Sequence, residues 1–202
     1  GDPAVVQSAY LYIGQALHHR GDNDAAILAF DKAVKTDGSD SSVREAAYYN
    51  YAVARSEGAH VPFASSADIF ENFLRLYPAG TYSDRVRGYL ADGYMADKDY
   101  ARALASLDGI ASPGKRTRSA KQRLLYLLAA DELAAGDLAS ARSRLDRARE
   151  YADADAATAA EITLLRGRLE AAAGNNGQAA AEYRRYLASK ASKTNATVAR
   201  YG

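Results

Sequence analysis

Three histidines, His18, His19 and His60, are the only imidazoles in a chain without cysteine, so a metal site would have to be built from them and from carboxylates. Two of the three are neighbours. Adjacent residues on a helix point about 100° apart, so His18 and His19 cannot grip one ion as an i, i+4 pair would. Both read as structural or surface side chains. The missing cysteines also remove thiolate chemistry and any disulfide framework. No G-x-x-x-x-G-K-[ST] phosphate loop and no G-x-S-x-G nucleophile elbow occurs, and Gly174-Asn175-Asn176-Gly177 reads as a turn. The residues point to no metal, no cofactor and no enzyme.

Charged side chains are the next candidates. Asp146 and Glu150 are interleaved with Arg142, Arg144, Arg147 and Arg149, a spacing expected to form i, i+3 and i, i+4 pairs on one solvated helix face, about 0.2–0.5 kcal/mol each. Lys115-Arg116-Thr117-Arg118, followed by Lys121 and Arg123, has no acid between Asp108 and Asp131. Positive charge at the start of a helix opposes the macrodipole. The stretch is either a patch for an acidic partner or lipid headgroup, or a solvated loop. The 15 tyrosines offer rigid apolar faces with polar tips; most are expected between helices, and Tyr49 and Tyr126 stand out as anchors. Asn195-Ala196-Thr197 fits a glycosylation sequon but carries little weight alone.

Apolar residues at 48% and charged residues at 25% describe a chain that folds rather than one that stays disordered. A net charge of +1 argues against a nucleic-acid binder, which carries a large basic surplus. Apolar runs such as Leu124 to Ala130 fall far short of the roughly 20 residues that span a bilayer, so membrane association would be peripheral and come through flanking sequence. Gly1-Asp2-Pro3 lack the charged and apolar regions of a signal peptide. Thr194 to Tyr201 reads as the opening of a further helix, so 191–202 are expected to be a truncated helix or tail.

The elements that must carry these residues repeat. Gly14, Ala52, Ala91, Ala129 and Gly167 recur at a step of 38 or 39, the signature of stacked units that bury their apolar faces against one another. The following spacing recurs too: Gly21, Ala26, Phe30, Ala33 matches Lys98, Ala103, Leu107, Ile110, then Gly136, Ala141, Leu145, Ala148, then Gly174, Ala179, Tyr183, Tyr186. Apolar residues at helical spacing flank turn sequences such as Gly21-Asp22-Asn23 and Gly136-Asp137, so each unit is a helical hairpin. The expected units are 7–40, 45–80, 83–115, 119–152 and 157–190, one array over 1–202. The second has an insertion at Gly58–Phe63, read as packing over the helix ends with an exposed contact as the alternative. Its second helix is expected to begin at Ser65.

Ala26 with Phe30, Ala103 with Leu107, Ala141 with Leu145 and Ala179 with Tyr183 resemble the A-x-x-x-F of the tetratricopeptide repeat; Ser66 with Phe70, closing on Pro78, is the second unit's version. The resemblance implies an all-α, right-handed α-solenoid of about five hairpins. No tryptophan holds the family's first position, and the period exceeds the usual ~34 residues by about one helical turn. Phe70-Glu71-Asn72-Phe73-Leu74-Arg75-Leu76-Tyr77-Pro78 is similar to the F-x-x-F-L-x-x-Y-P wording of periplasmic repeat proteins, including lipoproteins of outer-membrane β-barrel assembly and coordinators of the Tol–Pal system. That likeness implies a periplasmic or outer-membrane-associated protein.

By the same resemblance, first-helix side chains line a concave groove: Leu11, Gln15, His18, Tyr49, Val53, Arg85, Asp92, Met95, Arg123, Tyr126, Leu133, Glu161, Leu164 and Arg168. Within it Leu11, Gln15, Tyr49, Arg85, Asp92, Met95, Arg123, Tyr126 and Arg168 are the candidate partner-binding residues, with the arginines suited to carboxylates. The carboxylate clamp of the chaperone-binding members is not matched, with Leu11 and Gln15 at its first two positions and Tyr89 at its last. A non-enzymatic scaffold for a peptide or protein surface is the implied function. A glycan-binding outer-membrane protein, or a regulatory region of a larger enzyme, is the alternative.

Overall fold

The computed structural model describes residues 2–38, 40–57 and 63–189. The insertion at 58–62 with His60, the sequon at 195–197 and the expected helix at 194–201 lie outside them. Among the described residues there is no strand, and the helices follow one another as α1 (Pro3–His19), α2 (Asn23–Lys35), α3 (Ser41–Ser56), α4 (Phe63–Leu76), α5 (Ser83–Ala96), α6 (Tyr100–Asp108), α7 (Lys115–Ala134), α8 (Leu138–Ala148), α9 (Ala156–Ala172) and α10 (Asn176–Ala188). A short 3-10 turn, Arg149–Tyr151, follows α8. The fold is all-α, of tetratricopeptide-like hairpins. Helix α4 begins at Phe63 rather than at Ser65.

Two compact units divide the chain, Gly1–Asp97 and Lys98–Gly202, so α1 to α5 belong to the first and α6 to α10 to the second. The division falls within the segment 83–115. In the first unit Leu11, Ala26, Phe30, Ala33, Ala46, Ala47 and Ala54 form the core, with Val43 and Tyr51 of α3 packed against it. On α1 the positions one period before those two, Val5 and Ile13, are 64% and 49% exposed.

The turns between paired helices share one device. Gly21, Lys98, Gly136 and Gly174 all take positive φ, of 81°, 61°, 82° and 78°. At Gly21 and Gly136 the residue's own N–H reaches back to His18 and Leu133, and the next N–H reaches Leu17 and Glu132, which caps the ending helix. The following aspartate then starts the next helix: Asp22, Asp99 and Asp137 accept from the N–H of Ala25, Arg102 and Ser140. One link thus closes one helix and opens another.

The recurrent small residue is set by a close approach. A methyl added at Gly14 would lie 2.5 Å from the Phe30 ring, and one at Gly167 would run into Tyr183. These are the first-helix and second-helix signature positions, so the aromatic ring fills the space that a side chain would occupy. Ala129 and Leu145, the corresponding positions of α7 and α8, are fully buried.

Two predictions follow from the backbone and the core. Gly14→Ala should cost about 1–3 kcal/mol by overpacking, and adding Phe30→Leu, the residue type found at Leu107 and Leu145, should recover part of it in denaturant unfolding. Lys98→Gly should stabilise by about 0.5–1 kcal/mol, because left-handed backbone costs a residue with a Cβ and not glycine; an unchanged or lower midpoint would contradict the strain.

Candidate functional site

In the first unit, side chains from three first helices approach one another. His18 of α1 meets Glu57, at the end of α3, with Nε2 and Oε2 2.7 Å apart. Tyr49 of α3 stacks on Tyr82 at 4.4 Å between centroids and meets Phe73 edge-on. Tyr89 of α5 stacks on Phe70; burial, then the neighbouring Tyr49, pushes its phenol above its ordinary value. Arg85 lies exposed over the Tyr82 ring. The result is a tyrosine platform with a guanidinium beside it, and Tyr89 is still 42% exposed.

Several expected groove residues sit elsewhere. Leu11 is 7% exposed and belongs to the core, because it packs among the small residues of α2; it is unavailable to a partner. Val53 is likewise buried. Gln15 and Asp92 are exposed, and Met95 is half-buried. In the second unit Arg123 lies over the ring of Tyr126 on the same helix, 5.7 Å from its centroid. Arg168 is exposed, whereas Leu133, Glu161 and Leu164 are half-buried. Neither Tyr82 nor Glu57 is among the expected groove residues, since they lie at helix ends rather than at counted positions.

The basic stretch is largely consumed by structure. Lys121 is 5% exposed, with its Nζ 3.2 Å from Asp108 and above the Tyr151 ring. Arg118 pairs with Asp153 at 2.5 Å and also covers Tyr151. Helix α7 nevertheless starts on Gly114 without a side-chain cap or an acid in its first turn, so the opposed macrodipole is real. Arg147 of α8 also reaches Asp108, at 2.5 Å.

The arginines of α8 do not form the one-face pairs expected of them. Arg142 grips Glu170 of α9 with both terminal nitrogens, Arg144 meets Glu132 of α7 at 3.1 Å, and Asp146 accepts from Arg166 of α9 at 2.6 Å. Arg149 with Asp146, at 3.8 Å, keeps the i, i+3 spacing. Spacing alone does not show which side chains a neighbouring helix brings nearer. Among the described residues no group of His, Asp and Glu could hold a metal ion, and no helix is long and apolar enough to cross a membrane.

A family profile described as tetratricopeptide repeat matches residues 4–42 and 126–195, more than half of the chain. The chain belongs to the tetratricopeptide repeat family. Among solved structures, YrrB, a tetratricopeptide repeat protein with an unusual peptide-binding site, is 20% identical. The match covers 96% of this chain and 91% of that one, with a TM-score of 0.52. MamA 41-end from Desulfovibrio magneticus RS-1 is 17% identical over 96% of this chain and 97% of that one, with a TM-score of 0.47. No curated protein matches the sequence. At this identity the likeness to YrrB bears on the fold alone. Within the tetratricopeptide frame, the surface side chains of α1, α3 and α5 in one unit, and of α7 and α9 in the other, are the candidate site.

The charge network predicts a pH response. Burial pushes the Asp108 carboxyl up, but hydrogen bonds from Arg147 and Lys121 outweigh it and hold the group below its ordinary value. Hydrogen bonds from Arg142 and Asn175 do the same for Glu170. Groups with folded values below their unfolded ones stabilise fully above the unfolded range and lose that contribution as pH falls through the folded value. Stability should therefore fall below about pH 4. Asp108→Asn should cost about 2 kcal/mol near neutrality by stranding the buried Lys121 ammonium, and should flatten the acid slope in pH-dependent denaturation.

Proposed function

We propose that the chain is a non-enzymatic scaffold that holds a peptide or protein segment against its first-helix side chains, each unit offering its own surface. The observation that carries this reading is the tyrosine platform of the first unit. Tyr49 stacks on Tyr82 and Tyr89 stacks on Phe70, so the rings are held in place before any partner arrives, and rigid aromatic area binds at low entropic cost. Exposed Arg85 beside them can meet a carboxylate of the bound segment. In the second unit Tyr126 under Arg123 supplies the same pair of chemistries. The peptide-binding site of YrrB is a property of that protein; the shared fold makes a comparable role feasible for this one.

We further infer a place in a Gram-negative envelope assembly, periplasmic or attached to the outer membrane. The support for this is the wording of residues 70–78, in which Phe70 and Phe73 are buried anchors of α4 and Pro78 follows its end. Fractionation of cells carrying the tagged natural protein tests it, and a cytosolic location would overturn it.

The scaffold reading is tested by affinity capture from cell extract with wild type and with two variants, Arg85→Ala with Tyr89→Ala and Arg123→Ala with Tyr126→Ala. Each variant should fold, by circular dichroism, and lose specific partners by about tenfold or more, as truncated aromatic and arginine anchors do. Recovery of every partner at wild-type level by both would sink the assignment.

A further inference from the structure

A cleft of about 290 Å³ in the second unit is lined by Arg142, Arg149, Arg166, Glu170, Gln178, Ala181, Glu182 and Arg185. It is built from α8, the turn after it, α9 and α10, apart from the surface residues of α7 and α9 discussed above. Four guanidiniums face two carboxylates across it. Arg166 and Glu170 are its buried members, 8% and 5% exposed, and Arg149, Gln178 and Arg185 are its exposed ones. Arg166 donates one terminal nitrogen to Asp146 at 2.6 Å, while its other, Nη1, is buried without an acceptor. A buried donor of a charged group left unpaired is costly.

The repeat makes that cost informative. The residue before each recurrent small position is Ile13, Tyr51, Leu90 and Leu128 in four units and Arg166 in the fifth. The position of Arg142 is Ile27, Ala67, Leu104 and Ala180 elsewhere, and that of Arg149 is Val34, Leu74, Ala111 and Leu187. Three arginines therefore stand where every other unit places an apolar side chain. The packing of hairpin on hairpin does not need them there, because the other units do without. Glu170 is already taken by Arg142 and by Asn175, which donates at 2.9 Å, so it cannot neutralise the remaining guanidiniums. Glu182 pairs with Arg185 at 2.8 Å, on the exposed side.

We propose that this cleft binds an oxyanion group, the carboxylate or phosphate of an acidic ligand, between Arg149, Arg166 and Arg185. Guanidinium forks suit such groups because two parallel N–H bonds match two oxygens. The exposed arginines admit the ligand, and a slight turn of Arg166 gives it the unpaired Nη1. The site stands or falls independently of the first-helix surfaces.

Isothermal calorimetry of the purified chain tests it, with an oligo-glutamate peptide, an oligo-glutamine control and inorganic phosphate as probes. Wild type should bind oligo-glutamate or phosphate, more weakly as salt rises, and should ignore oligo-glutamine. Arg149→Ala with Arg185→Ala, both at exposed positions, should weaken binding by about tenfold or more. Arg166→Leu, which restores the residue type of Leu90 and Leu128, should do the same while remaining folded by circular dichroism. Oligo-glutamate binding that phosphate does not displace assigns a peptide carboxylate, and binding of phosphate alone assigns the free anion; both keep the oxyanion chemistry. No binding by wild type, equal binding of oligo-glutamine, or wild-type affinity in both variants would overturn the proposal. So would loss of binding only in Arg123→Ala with Tyr126→Ala, which would move charge recognition to α7.

Discussion

How near a second helix can come to its first is decided here by one missing side chain. Phe30 lies where the Cβ of residue 14 would be, and Tyr183 where that of residue 167 would be. A helix with a large residue at that place would push its partner outward and leave a void beneath it, and voids and overpacking both cost a few kcal/mol at most sites. With the approach close, Ala26, Ala33 and Ala141 can be fully buried against their neighbours. Small side chains on both helices then let a hairpin of modest length make a dry core. The left-handed turns contribute to the same end by fixing where the second helix starts relative to the first.

Charge is handled by the opposite means, with long side chains that reach. Lys121 is buried on α7, where an ammonium alone would be strongly disfavoured. Asp108, at the end of α6, and the ring of Tyr151 surround it, and Arg147 then shares Asp108. Exposed pairs of this kind are worth ~1 kcal/mol or less, but the loss of a partner from a buried ion is worth several times that. The pairs at Lys121 and Arg166 therefore matter more to the second unit than Arg185 with Glu182, an i, i+3 pair whose arginine is exposed.

The fold was legible in the sequence because its causes are local or periodic. Turn chemistry at Gly21-Asp22 and Gly136-Asp137, and the small residue facing a large one a fixed distance on, are properties of residue type and spacing. The candidate site was less so. Leu11 was counted onto a surface, but it stands three residues before Gly14, near enough to the ring of Phe30 to be drawn into the core. The arginines of α8 were paired along their own helix, whereas carboxylates on α9 and α7 come closer to Arg142 and Arg144. Tyr82 took part unannounced because it precedes α5 and stacks backward on Tyr49. For Leu11 and the arginines the missing information was the rotation of a helix about its axis, which a period alone leaves open; Tyr82 lies at a helix end, outside the counted positions.

A repeat protein nevertheless offers an internal control that most folds lack. Each position has four counterparts in the same chain that solve the same packing problem, so a departure can be weighed without reference to any other protein. By that measure Lys98, in place of glycine at the turn, is a departure with a backbone cost. Arg142, Arg149 and Arg166 depart together, on adjoining elements, toward one sign of charge. A single substitution on an apolar face is readily absorbed by a compensating partner, as Glu170 absorbs Arg142. Glu170 and Asp146 between them meet all three, but Asp146 is shared by Arg149 and Arg166, and one terminal nitrogen of Arg166, the most buried of the three, is left without an acceptor. Packing explains the positions that repeat; it does not explain Arg142, Arg149 and Arg166, where α8, the turn after it and α9 stop following the pattern.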